Sequence, residues 1–161
     1  MMETKACIEK AEQNILHTYN RFPVVIKSGE GIWLTGADGK KYLDFTAGIA
    51  VFSLGYHYPG YDEALKVQID KIIHTSNLYY NEPMAKAAEK LLNASGMDKV
   101  FFTNSGTEAI EGAIKAARKY AYLKDETTDH EIIAMNNSFH GRSLGALSER
   151  GMLVIKNRLS R

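Results

Sequence analysis

The order of apolar and amphipathic segments in the second half of the chain is the feature that most constrains this fold. The run Lys99–Thr103 is short and apolar. It is followed by a helical pattern over Thr107–Leu123 and by a second apolar run, Glu131–Met135. Strands that are apolar on both faces, joined through an amphipathic helix, are typical of a parallel sheet covered by helices. The sequence therefore predicts an α/β fold for this half, with both runs as buried strands.

The first half of the chain predicts an appendage made of a helix and a β-hairpin. Amphipathic spacing indicates a helix over Thr4–Asn20, with Thr4 as its N-cap. The pair Asp38-Gly39 is a hairpin-turn signal, because glycine adopts a positive φ without strain. Three short strands, a glycine-rich loop and two helices complete this half. The strands are Val24–Lys27, Ile32–Thr35 and Lys41–Phe45, the loop is Gly48–Gly60, and the helices are Tyr61–His74 and Glu82–Asn93.

Composition and charge argue against several classes of protein. The 161 residues include 20 Lys or Arg and 19 Asp or Glu, and this net charge of +1 argues against a nucleic-acid partner. The single cysteine, Cys7, excludes an internal disulfide, and the histidines lack metal-ligand spacing. The sequence shows neither the apolar region of a signal peptide nor a run long enough to span a membrane. We therefore expect a cytoplasmic protein that binds no nucleic acid, membrane or metal.

A short polar loop between the first apolar run and the long helix is the first candidate site. Ser105 and Thr107 offer hydroxyl groups, and Gly106 lets an anion approach the backbone. Ligands bind outside the carboxyl ends of parallel strands, and a helix N-terminus attracts phosphate. A structural interpretation also fits, because Ser105 and Glu108 have the spacing of a capping box. The residues alone leave both interpretations open.

A second polar loop follows the second apolar run. Phe139 can stack on a flat aromatic ligand, and Arg142 can bind a carboxylate through two parallel hydrogen bonds. The structural alternative is a core phenylalanine, a loop histidine at His140 and a solvated arginine. Because the two loops follow consecutive strands of the predicted sheet, we expect them to converge on one crevice.

Five motifs occur in the order typical of one enzyme family. They are Thr35–Phe45 (TGADGKKYLDF), Gly48–Val51 (GIAV), Ser76–Pro83 (SNLYYNEP), Asn104–Ala109 (NSGTEA) and Ser138–Arg142 (SFHGR). Over about residues 10–148 the chain resembles the class III pyridoxal 5'-phosphate (PLP) aminotransferases, and among them the acetylornithine type. The resemblance implies a fold-type-I transferase. Residues 1–55 would belong to the N-terminal part of its small domain and residues 56–148 to an incomplete PLP-binding large domain.

The resemblance also implies a reaction and a set of site residues. Aminotransferases of this type move the amino group of N2-acetylornithine to 2-oxoglutarate in arginine biosynthesis, and they are homodimers. By this resemblance Gly106 and Thr107 would hold the cofactor phosphate, and Phe139 would stack on the pyridine ring. The segment Ser76–Pro83 would lie near the dimer interface. The implied cofactor-binding residues are Ser105, Gly106, Thr107, Phe139 and His140, and the implied substrate-binding residue is Arg142.

The chain departs from the family pattern in three respects. Phe52 stands where relatives often have a small or polar residue, and Tyr58 stands where many have histidine. Succinylornithine, ornithine and 4-aminobutyrate therefore stay open as amino donors beside N2-acetylornithine. The family's lysine that binds PLP covalently, and the acid that partners the pyridine nitrogen, lie far downstream of the motif at Ser138–Arg142. Residues 149–161 do not resemble the family and carry four basic residues against one acidic residue, Glu149.

We therefore expect a truncated portion of such an enzyme, with a basic tail at 149–161 and no catalysis by this chain alone, because it lacks the Schiff-base lysine. Two alternatives stay open. One is a class III aminotransferase with another amino donor. The other is a fragment that binds the cofactor, or docks onto a partner subunit, without catalysis.

Overall fold

The chain forms two compact units, Met1–Tyr79 and Tyr80–Arg161. The computed structural model describes residues 4–148, so the basic tail predicted at 149–161 lies outside the described residues. The predicted domains, with a boundary after residue 55, stay a prediction. Within residues 4–148, every helix is too short or too polar to cross a lipid bilayer.

The first unit begins with helix α1 (Thr4–Asn14), which is shorter than predicted. The side-chain amide of Asn14 donates to the carbonyl of Lys10 at 2.7 Å. An asparagine side chain that bonds to the backbone offers it an alternative to helical hydrogen bonds, which favours a helix end. The prediction that this helix continues to Asn20 is therefore wrong.

Three strands of the first unit form an antiparallel sheet in the order β1-β2-β3. Glycine at the predicted turn makes the hairpin possible: Gly39 has φ of +81°, and the N–H of Gly36 donates to the carbonyl of Lys40 at 2.8 Å. The predicted hairpin is confirmed, with strand ends that differ from the prediction by a few residues. The strands are β1 (Ile26–Glu30), β2 (Trp33–Gly36) and β3 (Lys41–Leu43).

A left-handed turn, α2 (Ala47–Ala50), opens the stretch that the sequence predicts as a loop. Ile49 has φ of +61°, a conformation that is unfavourable for a β-branched residue. Asp44 stabilises the entry to this turn, because its carboxylate accepts from the N–H groups of Thr46 (3.1 Å) and Ala47 (2.9 Å). The hydroxyl of Thr46 also donates to it, and this bond is the main reason that the pKa of Asp44 lies below its usual value.

Two predicted helices are confirmed, one in each unit. They are α3 (Tyr61–Lys71) and α4 (Glu82–Ser95). Asn81 caps α4, since its side-chain oxygen accepts from the N–H of Met84 at 2.9 Å. Gly96 ends the same helix with φ of +70°, as the sequence predicts.

The second unit contains a long helix, α5 (Gly106–Asp125), and a short helix, α6 (Leu144–Ser148). The prediction of two buried strands beside α5 is wrong: Lys99–Thr103 and Glu131–Met135 lie within the described residues, and neither forms a strand. The only sheet among the described residues is the antiparallel one.

The two segments do not form strands because neither has a neighbouring strand among the described residues. A strand is stable when a neighbouring strand takes up its backbone hydrogen bonds, and a parallel neighbour requires a long crossover. Here the two segments face solvent instead, and the side chains of Phe101 and Ile133 are 77% and 94% exposed. Burial is concentrated where α5 meets α6. Within residues 4–148, the buried apolar side chains are Ala146 and Leu147.

Candidate functional site

The N-terminus of α5 is capped by its own sequence. Ser105 precedes the helix with an extended backbone, and its hydroxyl oxygen accepts from the N–H of Glu108 at 3.2 Å. In return, the carboxylate of Glu108 accepts from the N–H of Asn104 at 2.7 Å. The capping interpretation of this loop is therefore confirmed, with the reciprocal bond made to Asn104 rather than to Ser105.

Capping leaves the first N–H groups of the helix available to a ligand. The first intrahelical hydrogen bond runs from the N–H of Ala109 to the carbonyl of Ser105 (3.0 Å), so the N–H groups of Gly106 and Thr107 precede it. Apart from its chain neighbours and the backbone of its own helix, no heavy atom of residues 4–148 lies within 4 Å of the position that a side chain on Gly106 would occupy. The positive end of the helix dipole and this open space suit an anion, while the carboxylate of Glu108 in the same turn opposes one.

The second candidate loop lies against the first turn of α5. Gly141 is buried and has φ of +128°, and a methyl group added to it would overlap the side chain of Thr107, with 2.6 Å to Cγ2. Only glycine permits this approach, both because of its backbone angle and because of the space. The structure thus brings together the two polar loops that the sequence singles out.

The two larger side chains of the second loop lie beside each other. The guanidinium of Arg142 is 5.7 Å from the centroid of the Phe139 ring, within the range of a cation–π interaction. Phe139 is 59% exposed, which excludes the structural alternative of a core phenylalanine. His140, which lies between these two residues in the sequence, is half-buried. No hydrogen bond within residues 4–148 joins it to the α5 terminus.

Sequence reasoning missed Glu111, which joins α5 to the residues after the second loop. Its carboxylate accepts from the hydroxyl of Ser143 and from the N–H of Ala146 (2.9 Å). These bonds, that of Ser143 first, hold the pKa of Glu111 below its usual value. The only signal in the sequence is the spacing of four residues from Thr107, which places both side chains on one face of the helix.

Comparison with known proteins identifies the family. The chain matches the family model "Aminotransferase class-III" over residues 15–158. This chain belongs to the class-III aminotransferases. The resemblance that its motifs indicate is confirmed, and enzymes of this family use PLP. The match continues to residue 158, so the prediction that the tail does not resemble the family is wrong for residues 149–158.

The acetylornithine aminotransferase of Caldanaerobacter subterraneus subsp. tengcongensis is 50% identical to this class-III chain over 137 residues. Those residues are 85% of this chain and 35% of that protein. The acetylornithine aminotransferase of Methanocaldococcus jannaschii is 48% identical over 147 residues, which are 91% of this chain and 37% of the relative.

A crystal structure of Toxoplasma gondii ornithine aminotransferase with partial occupancy of PLP is similar in fold. Its TM-score is 0.86 at 29% identity, over 99% of this chain and 38% of that one. This aminotransferase chain thus spans about a third of the length of the relatives that it matches. The structural neighbours have the fold-type-I architecture, of which the described residues contain helices and one small antiparallel sheet.

Proposed function

We propose that the N-terminus of α5 and the loop at 139–142 bind PLP. The contact of Gly141 with Thr107 carries this proposal, because through it the loop that contains Phe139 and Arg142 lies beside the first turn of α5. PLP has a phosphate and a flat aromatic ring, and the two loops offer a partner for each. When bound, PLP supplies an electron sink for chemistry at the amino-bearing carbon of a substrate.

Each candidate residue then has a defined role. The N–H groups of Gly106 and Thr107, with the hydroxyl of Thr107, bind the phosphate, and Ser105 orients that turn through its capping bond. Phe139 stacks on the ring, and His140 forms the wall beside it. Arg142, whose guanidinium lies near Phe139, binds the carboxylate of the substrate next to the cofactor ring.

The reaction that we propose is transfer of the amino group of N2-acetylornithine to 2-oxoglutarate, as in arginine biosynthesis, by a homodimer. Its support is the family and the two sequence relatives described above, each an acetylornithine aminotransferase. The chain spans about a third of those proteins, so the donor, the acceptor and the dimer are all part of the proposal.

Binding is tested with PLP and the full chain, by following the amide NMR signals of α5. We expect the signals of Gly106 and Thr107 to shift. Gly106→Ala should weaken PLP binding by roughly tenfold, because the added methyl group would occupy the open space beside the helix end and keep the phosphate from the backbone N–H, at the cost of about one hydrogen bond to a charged group. Gly112→Ala is the matched control, because it makes the same change in the same helix, where the new methyl group meets only Phe101 at 3.6 Å. Equal PLP affinities of the two variants would contradict the proposed site.

Turnover is a separate test with a panel of donors. The full chain receives PLP, 2-oxoglutarate and one of N2-acetylornithine, succinylornithine, ornithine or 4-aminobutyrate, and glutamate formation is measured. No turnover with any donor would agree with the expectation from the sequence that this chain alone does not catalyse the reaction. Turnover that is fastest with N2-acetylornithine, at an ordinary enzyme rate of about 1–10³ s⁻¹, would overturn that expectation and support the proposed reaction in this chain itself. A preference for another donor would replace N2-acetylornithine in the proposal.

The exposed apolar segments favour a second candidate, in which the chain binds PLP or docks onto an aminotransferase subunit without turning over substrate. Phe101 and Ile133, at 77% and 94% exposure, are the side chains that such docking would cover. Mixing the chain with a full-length acetylornithine aminotransferase and measuring mixed dimers tests it. Mixed dimers together with no glutamate formation by the chain alone would favour this candidate.

A further inference from the structure

We infer that Glu111 is a positioning residue for the ring-binding loop of the proposed site. This inference rests on the proposed function, which gives the loop at 139–142 its role. It assigns to Glu111 the task of holding that loop beside the α5 terminus.

The contacts of Glu111 span a long stretch of sequence. Ser143 and Ala146, which donate to its carboxylate, lie 32 and 35 residues further along the chain. Gly145 approaches closely as well, since a methyl group on it would overlap the carboxylate oxygens of Glu111. One carboxylate therefore accepts from two donors of a single segment, and hydrogen bonds to a charged acceptor are stronger than neutral ones.

Helix α5 transmits this anchorage to the site. Thr107 and Glu111 are four residues apart and lie on one face of the helix. Gly141 contacts Thr107, and Ser143 bonds to Glu111, so the second loop touches α5 at two successive turns. Arg142 lies between those two contacts, and Phe139 precedes both. Arg142 is thus held on both sides, whereas the position of Phe139 relative to Gly106 depends on the attachment at Gly141.

A burial contrast supports the same assignment. Gly141, Ala146 and Leu147 are buried, whereas most apolar side chains elsewhere in the described residues are exposed. A carboxylate that accepts two hydrogen bonds at the edge of this buried contact would be costly to lose, because its donors would be left without an acceptor. The other acidic residue of this region, Glu108, serves the helix cap instead.

The test compares two ligands that use different parts of the site. Inorganic phosphate needs only the α5 terminus, whereas PLP also needs the loop. In the full chain we expect Glu111→Gln to weaken PLP binding by about tenfold and to leave phosphate binding within about twofold. Ser143→Ala removes one donor only, so a smaller loss of PLP affinity is expected. Glu89→Gln on the exposed face of α4 is the matched control and leaves both affinities unchanged.

The outcomes separate this inference from the proposed function. Wild-type PLP affinity in Glu111→Gln would overturn the role of Glu111 and leave the proposed site standing. An equal loss of PLP and phosphate would also overturn it, since Glu111 would then support α5 as a whole. If the wild-type chain binds neither ligand, the proposed function fails. Amide hydrogen exchange then decides the role of Glu111: faster exchange confined to Gly141–Ala146 in Glu111→Gln supports anchorage of the loop, and unchanged exchange overturns it.

Discussion

Two groups of predicted strands behave differently in this chain. The three strands near the N-terminus form a sheet, whereas Lys99–Thr103 and Glu131–Met135 face solvent without strand pairing. Composition does not separate the groups, since the two segments in the second unit are at least as apolar. The difference is the distance along the chain to a hydrogen-bonding neighbour. β2 and β3 are joined by a tight turn, but parallel strands need a crossover and more strands on either side.

The comparison teaches that an apolar pattern specifies which residues avoid water but not what covers them. In the second unit that cover exists at one place, where α6 packs on α5 and buries Ala146 and Leu147. Residues 4–148 therefore contain one buried apolar contact, that of α5 with α6, and apolar segments that are exposed like the unpaired edge strand of a sheet. The predictions below test this contrast between buried and exposed parts of the chain, and the substitution with the greatest effect on stability comes first.

Leu147→Ala should cost the most stability, because Leu147 is 8% exposed and packs in the only buried apolar contact within residues 4–148. We expect a loss of about 2–4 kcal/mol in the free energy of unfolding, measured by urea denaturation. Ile133→Ala is the matched control at 94% exposure and should change stability by less than about 0.5 kcal/mol. Equal effects of both variants would mean that Ile133 is covered in solution.

Amide hydrogen exchange should divide the predicted strands into the same two groups. β2 has a partner on each side, so its amides should exchange more slowly than those of Lys99–Thr103 by roughly two orders of magnitude. The measurement is exchange detected by NMR at neutral pH. Slow exchange at Lys99–Thr103 would break the contrast and indicate a strand partner supplied by another copy of the chain.

Gly55→Ala should destabilise the first unit, because it combines two penalties. Gly55 has φ of +78°, and an added methyl group would lie 2.6 Å from the carbonyl oxygen of Gly31, beside the bridge between Gly31 and Tyr56. Gly60→Ala is the control: its φ is +83°, with no atom within 4 Å of the new methyl group.

Both variants carry the left-handed penalty of about 1–2 kcal/mol, and only Gly55→Ala adds the overlap. The fluorescence of Trp33, the single tryptophan and part of β2, reports the unfolding of this sheet. We expect Gly55→Ala to unfold at a lower urea concentration than Gly60→Ala. Coincident transitions would show that the bridge at Gly31 contributes nothing to the sheet.

Acid should loosen the contact between α5 and α6 through Glu111. Hydrogen bonds, that of Ser143 first, lower the pKa of Glu111 in the folded chain below the ordinary value of 4.5. A group with a lowered pKa stabilises the fold above its unfolded pKa, and this contribution is lost as the pH falls through the folded value. We expect the protection of the Ala146 amide, which is its exchange rate relative to that of an unfolded chain at the same pH, to fall below about pH 4.5 in the wild type.

The Glu111→Gln variant separates this carboxylate from the others. Asp44 and Asp125 also have lowered pKa values, so the whole chain responds to acid. In Glu111→Gln, the Ala146 amide should be less protected than in the wild type already at neutral pH, because an amide oxygen accepts more weakly than a carboxylate. Its protection should also change less as the pH falls through the acid range. An unchanged acid profile in that variant would assign the effect to a different carboxylate.

Much of the local structure was predictable because it depends on neighbours in the sequence. The hairpin at Asp38-Gly39, the stop at Gly96 and the cap at Ser105 all act over a few residues. The end of α1 was not, because an asparagine side chain can point to solvent or to the backbone. The left-handed turn at Ala47–Ala50 was missed for a related reason: its support from Asp44 is a matter of side-chain geometry.

The candidate site divides in the same way. The sequence placed Ser105, Gly106 and Thr107 at a helix start, and Phe139 and Arg142 on a loop, since both statements follow from local pattern. That the loops meet could be expected from strand order, yet the meeting here occurs without those strands. It depends on Gly141 against Thr107 and on Glu111, contacts between residues more than thirty positions apart.

Sequence patterns alone were enough to predict most of α1, α3, α4 and α5, the hairpin, the polar residues of both loops and, through five motifs, the aminotransferase family. These features depend on hydrogen bonds and backbone preferences that act between near neighbours. Only the tertiary structure decided which apolar segments are covered, and that a carboxylate on α5 anchors the second loop. Burial and long-range hydrogen bonds require two distant segments to meet, and no local pattern encodes where the partner of a segment lies.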